Sequence, residues 1–192
     1  MILGHRDLIR AWKAKQIQFS PDIQVGQIGI SSIDLHLGYV FSKLQSREGI
    51  AVTPSLDQFD PEGLVKSEDY SAPDNLGRPR IFRLGQHEFV VAFTLEEVHL
   101  PNNLAASVEG RTRLARYGLS VHTTAPHIHP AWQGPIALEL YNHGPIPIDF
   151  RPGVDRICQL IFHQVTSSVP NKVAKSMSSF MGQKKPYLKV RS

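Results

Sequence analysis

The sequence predicts a mainly β domain, and three observations carry that prediction. Turn residues recur roughly every eight to twelve positions, drawn from 14 Gly and 14 Pro among 192 residues. The segments between them are short and several alternate in polarity, as strands with one buried face do. Only one stretch has helical spacing. Many short strands with frequent turns point to a sandwich, barrel or jelly roll rather than to a parallel sheet with crossover helices.

The helical stretch comes first. Leu8, Ile9, Trp12 and Ile17 fall near helical spacing, with Arg6, Arg10, Lys13 and Lys15 mostly elsewhere. This predicts one short helix over 7–17, with Asp7 as its N-cap. Ile33-Asp34-Leu35-His36-Leu37 then alternates, as does Ile136-Ala137-Leu138-Glu139-Leu140-Tyr141. Phe89 to Phe93 and Ile157 to Phe162 read as buried strands. Residues 53–80 hold Pro54, Pro61, Pro73, Pro79 and several acidic residues with little periodicity, which predicts a long loop or insertion rather than a second domain. The tail, 167–192, is rich in Ser and Lys and lacks alternation, so a mobile segment or one packed on a partner subunit is expected. There is no internal repeat, and the whole chain, 1–192, reads as one domain.

Composition narrows the function classes. The 41% hydrophobic and 20% charged content is that of a globular protein, not a disordered or collagen-like one. The longest uninterrupted apolar run, Phe89 to Phe93, falls far short of the ~20 residues of a membrane helix. The start, Met1 to Asp7, has no basic segment followed by an apolar one, so no signal peptide and a cytoplasmic location are expected. One cysteine, Cys158, excludes an internal disulfide and a multi-cysteine zinc site. The 21 Lys+Arg exceed the 17 Asp+Glu by only four, which suits an anionic ligand but does not argue for nucleic acid.

The chemistry concentrates between Val108 and Tyr141. In Gly110-Arg111-Thr112-Arg113-Leu114-Ala115-Arg116-Tyr117-Gly118, Gly110 gives a turn, Thr112 is a candidate cap, and Gly118 suits the end of one helical turn. Free N–H groups at such a start form an anion site, with Arg111 and Arg113 at the same end. Thr112 and Arg116 are four apart and share a face. A capped surface helix with solvated arginines fits the same residues. On the strand with Ile136, Leu138 and Leu140 on one face, Glu139 lies on the other with Ala137 and Tyr141. It is either a solvated outer residue or, if half-buried, a general base. His127 and His129 are two apart and could share a metal on a strand, but no third ligand has convincing spacing, so a polar or interface role competes.

Taken together, the pieces resemble the dCTP deaminases of the trimeric dUTPase superfamily. The residues that carry the resemblance are Ser31-Ser32-Ile33-Asp34-Leu35-His36-Leu37-Gly38, Gly110 to Leu119, Trp132-Gln133-Gly134 and Glu139-Leu140-Tyr141-Asn142, with Arg151-Pro152-Gly153, Gln159-Leu160 and Met181-Gly182-Gln183. Order and spacing match nearly end to end, and the pieces are specific as a set. The resemblance implies a distorted jelly-roll or β-barrel core of the dUTPase-like type with a short N-terminal helix. It implies a homotrimer with sites between subunits, the tail closing over them, and Mg²⁺ bound through the nucleoside triphosphate. The implied reaction is hydrolytic removal of the 4-amino group of dCTP, giving dUTP and ammonia in pyrimidine deoxynucleotide metabolism. No zinc is implied, and zinc deaminases need H-x-E with P-C-x-x-C, which one cysteine cannot supply. By similarity Glu139 is the base, Ala125 lies among the carbonyls that hold the water, Thr112 stands for a site-orienting serine, and Arg116 compensates charge at C4. Arg111 and Gln183 match triphosphate contacts; Arg113 and His127 lie where phosphates are expected. Asp34 and His36 match a structural motif with no catalytic role.

Some residues depart from the family pattern. The family loop A-H-R-I-D-P-G-W reads Ala125-Pro126-His127-Ile128-His129-Pro130-Ala131-Trp132 here. A fixed arginine charge thus becomes titratable at His127. His129 replaces the aspartate that in dUTPases activates the water cleaving the triphosphate, which argues against pyrophosphohydrolysis. Arg113 replaces a serine, and Ser179-Phe180 replaces a Lys-Tyr pair. Two other readings compete with the deaminase: a dUTPase-like pyrophosphatase, and a noncatalytic nucleotide-binding or regulatory protein on the same fold. dTTP is a candidate regulator. Neither a nucleic acid nor a membrane is an expected partner.

Overall fold

The computed structural model describes residues 1–46, 48–49, 51, 63–170 and 172–173. The chain opens with helix α1 (His5–Lys13). The strands are β1 (Gln18–Ser20), β2 (Ile33–Leu44), β3 (Val65–Asp69), β4 (Phe82–Leu84), β5 (Phe89–His99) and β6 (Leu104–Gly110). A single-turn helix, α2 (Thr112–Ala115), precedes β7 (Leu119–Ser120), β8 (His127–Ile128), β9 (Gln133–Asn142), β10 (Ile148–Phe150) and β11 (Arg156–Gln164). The expected mainly β class holds.

The α1 helix differs from the predicted 7–17 at both ends. The backbone of Gly4 caps it, its carbonyl accepting the N–H groups of Asp7 and Leu8. Asp7 is therefore not the cap; it lies in the first turn, where a carboxylate suits the helix dipole. Lys15 at φ 57° ends the helical path. Ile17 is buried beyond the helix, in the turn where it and Gln16 both donate to the Ala11 carbonyl. The apolar residue that extended the periodic pattern thus packs from a turn.

The main sheet has nine strands in the order β7-β9-β5-β2-β11-β6-β8, with β1 added to β5 and β3 to β2. It curls into an open half-barrel. All pairings are antiparallel. The branching works because β2 and β5 are long and change partners where the register shifts. The near half of β2 pairs β11, and the far half pairs β5 and β3. Such bulges bend a strand and raise its twist, which lets a sheet curl over its own core. Burial follows the alternation read from the sequence: in β9, Ile136, Leu138 and Leu140 are buried while Ala137, Glu139 and Tyr141 are more open. Phe41, Phe82, Phe150 and Phe162 are among the largest fully buried side chains. A two-stranded sheet, β4 with β10, covers one end, where Phe82 stacks on Phe41 at 3.7 Å between ring centroids.

Within 53–80, expected as loop, the described part contains β3, pairing Val65–Asp69 with Val40–Leu44. This corrects the loop expectation. Its Lys66, Ser67, Glu68 and Asp69 are all exposed, so no apolar alternation betrays it. Charges of this kind are how edge strands resist pairing with other chains. Residues 52–62, and 174–192 of the tail, lie outside the described residues.

Candidate functional site

The site is built where β9 meets the segment that follows β7. The Glu139 N–H donates to the Val121 carbonyl at 3.0 Å, and the Glu139 carboxylate accepts the Thr123 N–H through Oε2 at 2.8 Å. One strand residue is thus tied twice to 121–123, which fixes the direction of its carboxylate. Glu139 is half-buried, the case in which the sequence reading makes it a base. Between those two ties, His122 holds a buried Nδ1 with no hydrogen-bond partner among the described residues. The Ala125 carbonyl likewise accepts no hydrogen bond from them, while the next carbonyl, Pro126, takes the Val108 N–H at 2.8 Å and holds the loop to β6.

Helix α2 is placed by glycines. Gly118 has φ 93°, open to glycine at little cost, and a Cβ there would come within 2.3 Å of the Gly144 nitrogen. The two backbones approach closely enough for His143 N–H to donate to the Gly118 carbonyl at 2.8 Å. That contact docks the end of α2 on the strand that carries Glu139. The expected cap is corrected: Arg111, not Thr112, is the N-cap, and no side chain caps the helix. Thr112 is the first helical residue. Its carbonyl accepts the Arg116 N–H at 3.2 Å, so the four-residue spacing that puts both on one face is kept. Thr112, Arg113 and Arg116 are exposed, and among the described residues neither the Arg113 nor the Arg116 side chain has a hydrogen-bond or ion-pair partner. No bond joins them to Glu139.

Arg111 is held differently. Its guanidinium lies 3.1 Å from Asp34 Oδ2 on β2 and donates to the Arg156 carbonyl on β11 at 3.1 Å. Arg156 reaches the same Asp34 oxygen at 3.5 Å and donates to the Gly26 carbonyl at 2.7 Å. Beside them Gln159 donates to the Gly110 carbonyl and accepts the Ser32 hydroxyl. Sequence reasoning missed Arg156. The available signal was an arginine at the head of the apolar run Ile157 to Phe162, on the strand next to Asp34.

His127 and His129 meet edge to face with ring centroids 4.9 Å apart. His163, bonded to Ser107 Oγ at 2.9 Å, is the third imidazole of this group, since Ser107 is the register partner of His127. Desolvation, then His129 and His163, hold His127 below the ordinary histidine value of 6.5. Among the described residues no group of three His, Cys, Asp or Glu is arranged to hold a metal ion. Cys158 is buried, and burial pushes its thiol far up, so it is an inert core residue. Gln183 lies outside the described residues. No helix among the described residues is long and apolar enough to cross a membrane.

Comparison with known proteins places this arrangement. Residues 2–165 match the family model described as dCTP deaminase-like. A protein of Methanosphaera stadtmanae named "dCTP deaminase, dUMP-forming" is 34% identical over 187 residues, 96% of this chain and 91% of the relative. A "dCTP deaminase" of Thermomicrobium roseum is 34% identical over 189 residues, 97% of this chain and 91% of the relative. The crystal structure of a 2'-deoxycytidine 5'-triphosphate deaminase from Agrobacterium tumefaciens superposes with a TM-score of 0.63 at 19% identity. It covers 92% of this chain, which spans only 51% of that one. That likeness shows a shared fold, and the sequence relatives match over nearly their whole length. The chain belongs to the dCTP deaminase-like family.

Proposed function

We propose that the protein deaminates dCTP hydrolytically, with Glu139 as the general base. The observation that carries this is the twice-anchored Glu139 beside a free Ala125 carbonyl and an unpaired, buried His122 Nδ1. Buried polar atoms without partners are rare in folded proteins, and this one belongs to the residue preceding Thr123, whose N–H binds the carboxylate that the reaction needs.

The steps follow from those atoms. Glu139 takes a proton from the water as its oxygen forms the bond to C4. Glu139 passes that proton to N3, and the Arg116 guanidinium compensates the negative charge that develops on the ring. Glu139 then takes the proton of the new C4 hydroxyl and gives it to the exocyclic nitrogen; C4=O forms, the C4–N bond breaks, and ammonia leaves. Thr112 orients the site through its hydroxyl, on the face it shares with Arg116. Arg111, Arg113, His127 and Gln183 bind the phosphates.

Mg²⁺ bound through the nucleotide would neutralise phosphate charge. The donor set fits that route: Asp34, the carboxylate at the arginines, already serves two guanidiniums, so phosphate oxygens and water are the ligands left for the ion. A trimer with sites shared between subunits accounts for Thr112, Arg113 and Arg116 facing outward without partners. The single, buried cysteine supports a zinc-independent reaction, and a cytoplasmic place in pyrimidine deoxynucleotide supply fits such an activity.

We take dUTP as the end product, because His129 stands where pyrophosphohydrolysis needs a carboxylate. The names of several relatives favour a second reading, in which dUMP is formed. One experiment separates them. Purified protein is incubated with dCTP and Mg²⁺, and products are resolved by chromatography. dUTP with ammonia supports the proposal; dUMP with pyrophosphate replaces its product; unchanged dCTP removes the deaminase reading.

A further inference from the structure

The arginines around the site fall into two groups. Arg113 and Arg116 are exposed and unpartnered among the described residues. Arg111, just past the end of β6, and Arg156, at the head of the neighbouring β11, converge on one oxygen of Asp34. The Asp34 side chain is 19% exposed, those of Arg111 and Arg156 37% and 31%, so the cluster is neither sealed in the core nor free in solvent. One carboxylate neutralises one guanidinium, which leaves the cluster a net cation. Arg111 uses its two terminal nitrogens on Asp34 and on the Arg156 carbonyl. Its remaining N–H donors stay available to an anion.

From this geometry we infer that Asp34 is a positioning residue that holds the Arg111 guanidinium ready for the nucleotide polyphosphate, with Arg156 steadying the same carboxylate oxygen. The inference rests on the proposed nucleotide reading and adds Asp34 and Arg156 to it. An arginine side chain that is loose before binding must be ordered at binding, which lowers affinity by roughly two- to tenfold. Asp34 orders it in advance. The sign makes the inference sharp. Asp34 is an anion beside an anion site, so if it acted only by its charge, its removal would strengthen phosphate binding. If it positions Arg111, its removal weakens binding.

The test uses the full chain and two probes. Magnesium tripolyphosphate, followed by calorimetry, reads the phosphate cluster without a base or a reaction. dCTP turnover reads the function. Asp34→Asn is expected to weaken tripolyphosphate binding about tenfold and to raise KM for dCTP alike, with kcat within about twofold. In an Arg111→Gln background, Asp34→Asn should add nothing. Asp34→Glu keeps the charge but displaces the guanidinium, and should weaken binding about threefold; it serves if Asp34→Asn does not fold. Unchanged or tighter tripolyphosphate binding in the folded variant overturns the inference. A wild type that binds tripolyphosphate through Asp34 but leaves dCTP intact overturns the deaminase reading instead.

Discussion

Asp34 and His36 stand two residues apart on β2, yet they join polar clusters of opposite character. His36 belongs to a closed one. Its backbone N–H and Nδ1 bind Glu96 at 2.9 and 2.6 Å, and Gln27 Nε2 adds a third bond at 3.0 Å. Glu96 is 2% exposed and sits where the β5–β9 register shifts. Its neighbour Thr94 accepts the Ile136 N–H and donates to the Glu96 carbonyl, tying the bulge to β9. No buried side-chain polar atom there lacks a partner. The cluster at Asp34, and the carboxylate of Glu139 beyond it, are half-open and leave donors and acceptors unused. A charge with all its partners inside the fold supports the bulge. A charge whose partners keep spare donors is arranged for something that arrives.

The largest expected effect breaks the open side alone. Glu139→Gln keeps the shape and the bond from the Thr123 N–H but cannot accept a proton. kcat for dCTP should fall by about 10²–10⁴-fold or more, while the melting temperature and nucleotide affinity stay near those of the wild type. Turnover near the wild-type rate, measured by ammonia release, would remove Glu139 as the base.

Glu96→Ala breaks the closed side. It strands the His36 and Gln27 donors in the interior, and losing one partner of a buried charged network costs about 3–5 kcal/mol. Chemical denaturation should show that loss. A stability change below about 1 kcal/mol would mean that the cluster is not the brace of the bulge. The two variants thus dissociate: one loses chemistry and keeps its fold, the other loses its fold.

A smaller effect belongs to His127. Its pKa is depressed by desolvation, with His129 and His163 adding to it, so it is neutral at pH 7.5. His127→Arg supplies a permanent cation and should tighten triphosphate binding at pH 7.5 by about tenfold, the scale of one charge-assisted hydrogen bond. Wild-type His127 gains its proton only below 6.5, so the gap should narrow as pH falls through that range. The triphosphate's own titration is common to both proteins and drops out of their ratio. Equal affinities across the pH range would place His127 away from the phosphates.

Much of this comparison was legible in the sequence, for reasons that differ by residue. The face of β9 that holds Glu139 followed from strict alternation, and the turn at Gly118 from a glycine ending a short basic stretch. β3 was missed because an edge strand exposed along almost its whole length carries no apolar period. The Asp34–Arg111–Arg156 cluster was missed because its members lie far apart in the chain and meet only through the order β2-β11-β6. The Glu96 brace was hidden likewise: a glutamate within Thr94-Leu95-Glu96-Glu97 gives no sign that it faces inward, because a register shift resets the alternation. The α1 ends were misplaced by two residues at the start and four at the end, through capping and turn geometry that side-chain pattern does not encode.

The smallest expected effect sits in the rim loop at Ala131, where the family pattern has glycine. Ala131 adopts φ 63°, the left-handed region. Its neighbours enforce that shape: the Ala131 N–H donates to the Pro101 carbonyl at 3.0 Å, and the next residue's carbonyl accepts the Leu100 N–H at 2.9 Å. Trp132 is fixed in turn through Nε1 to the Gly134 carbonyl at 3.0 Å. An L-residue pays roughly 1–2 kcal/mol for this conformation, and glycine would relieve it. Glycine also frees the unfolded chain, which takes back about 0.4–1 kcal/mol. Ala131→Gly should therefore stabilise the protein by about 0.5–1 kcal/mol, a rise of about 2 °C in Tm for a chain of this size. A calorimetric Tm that falls would show that the loop is not strained at rest.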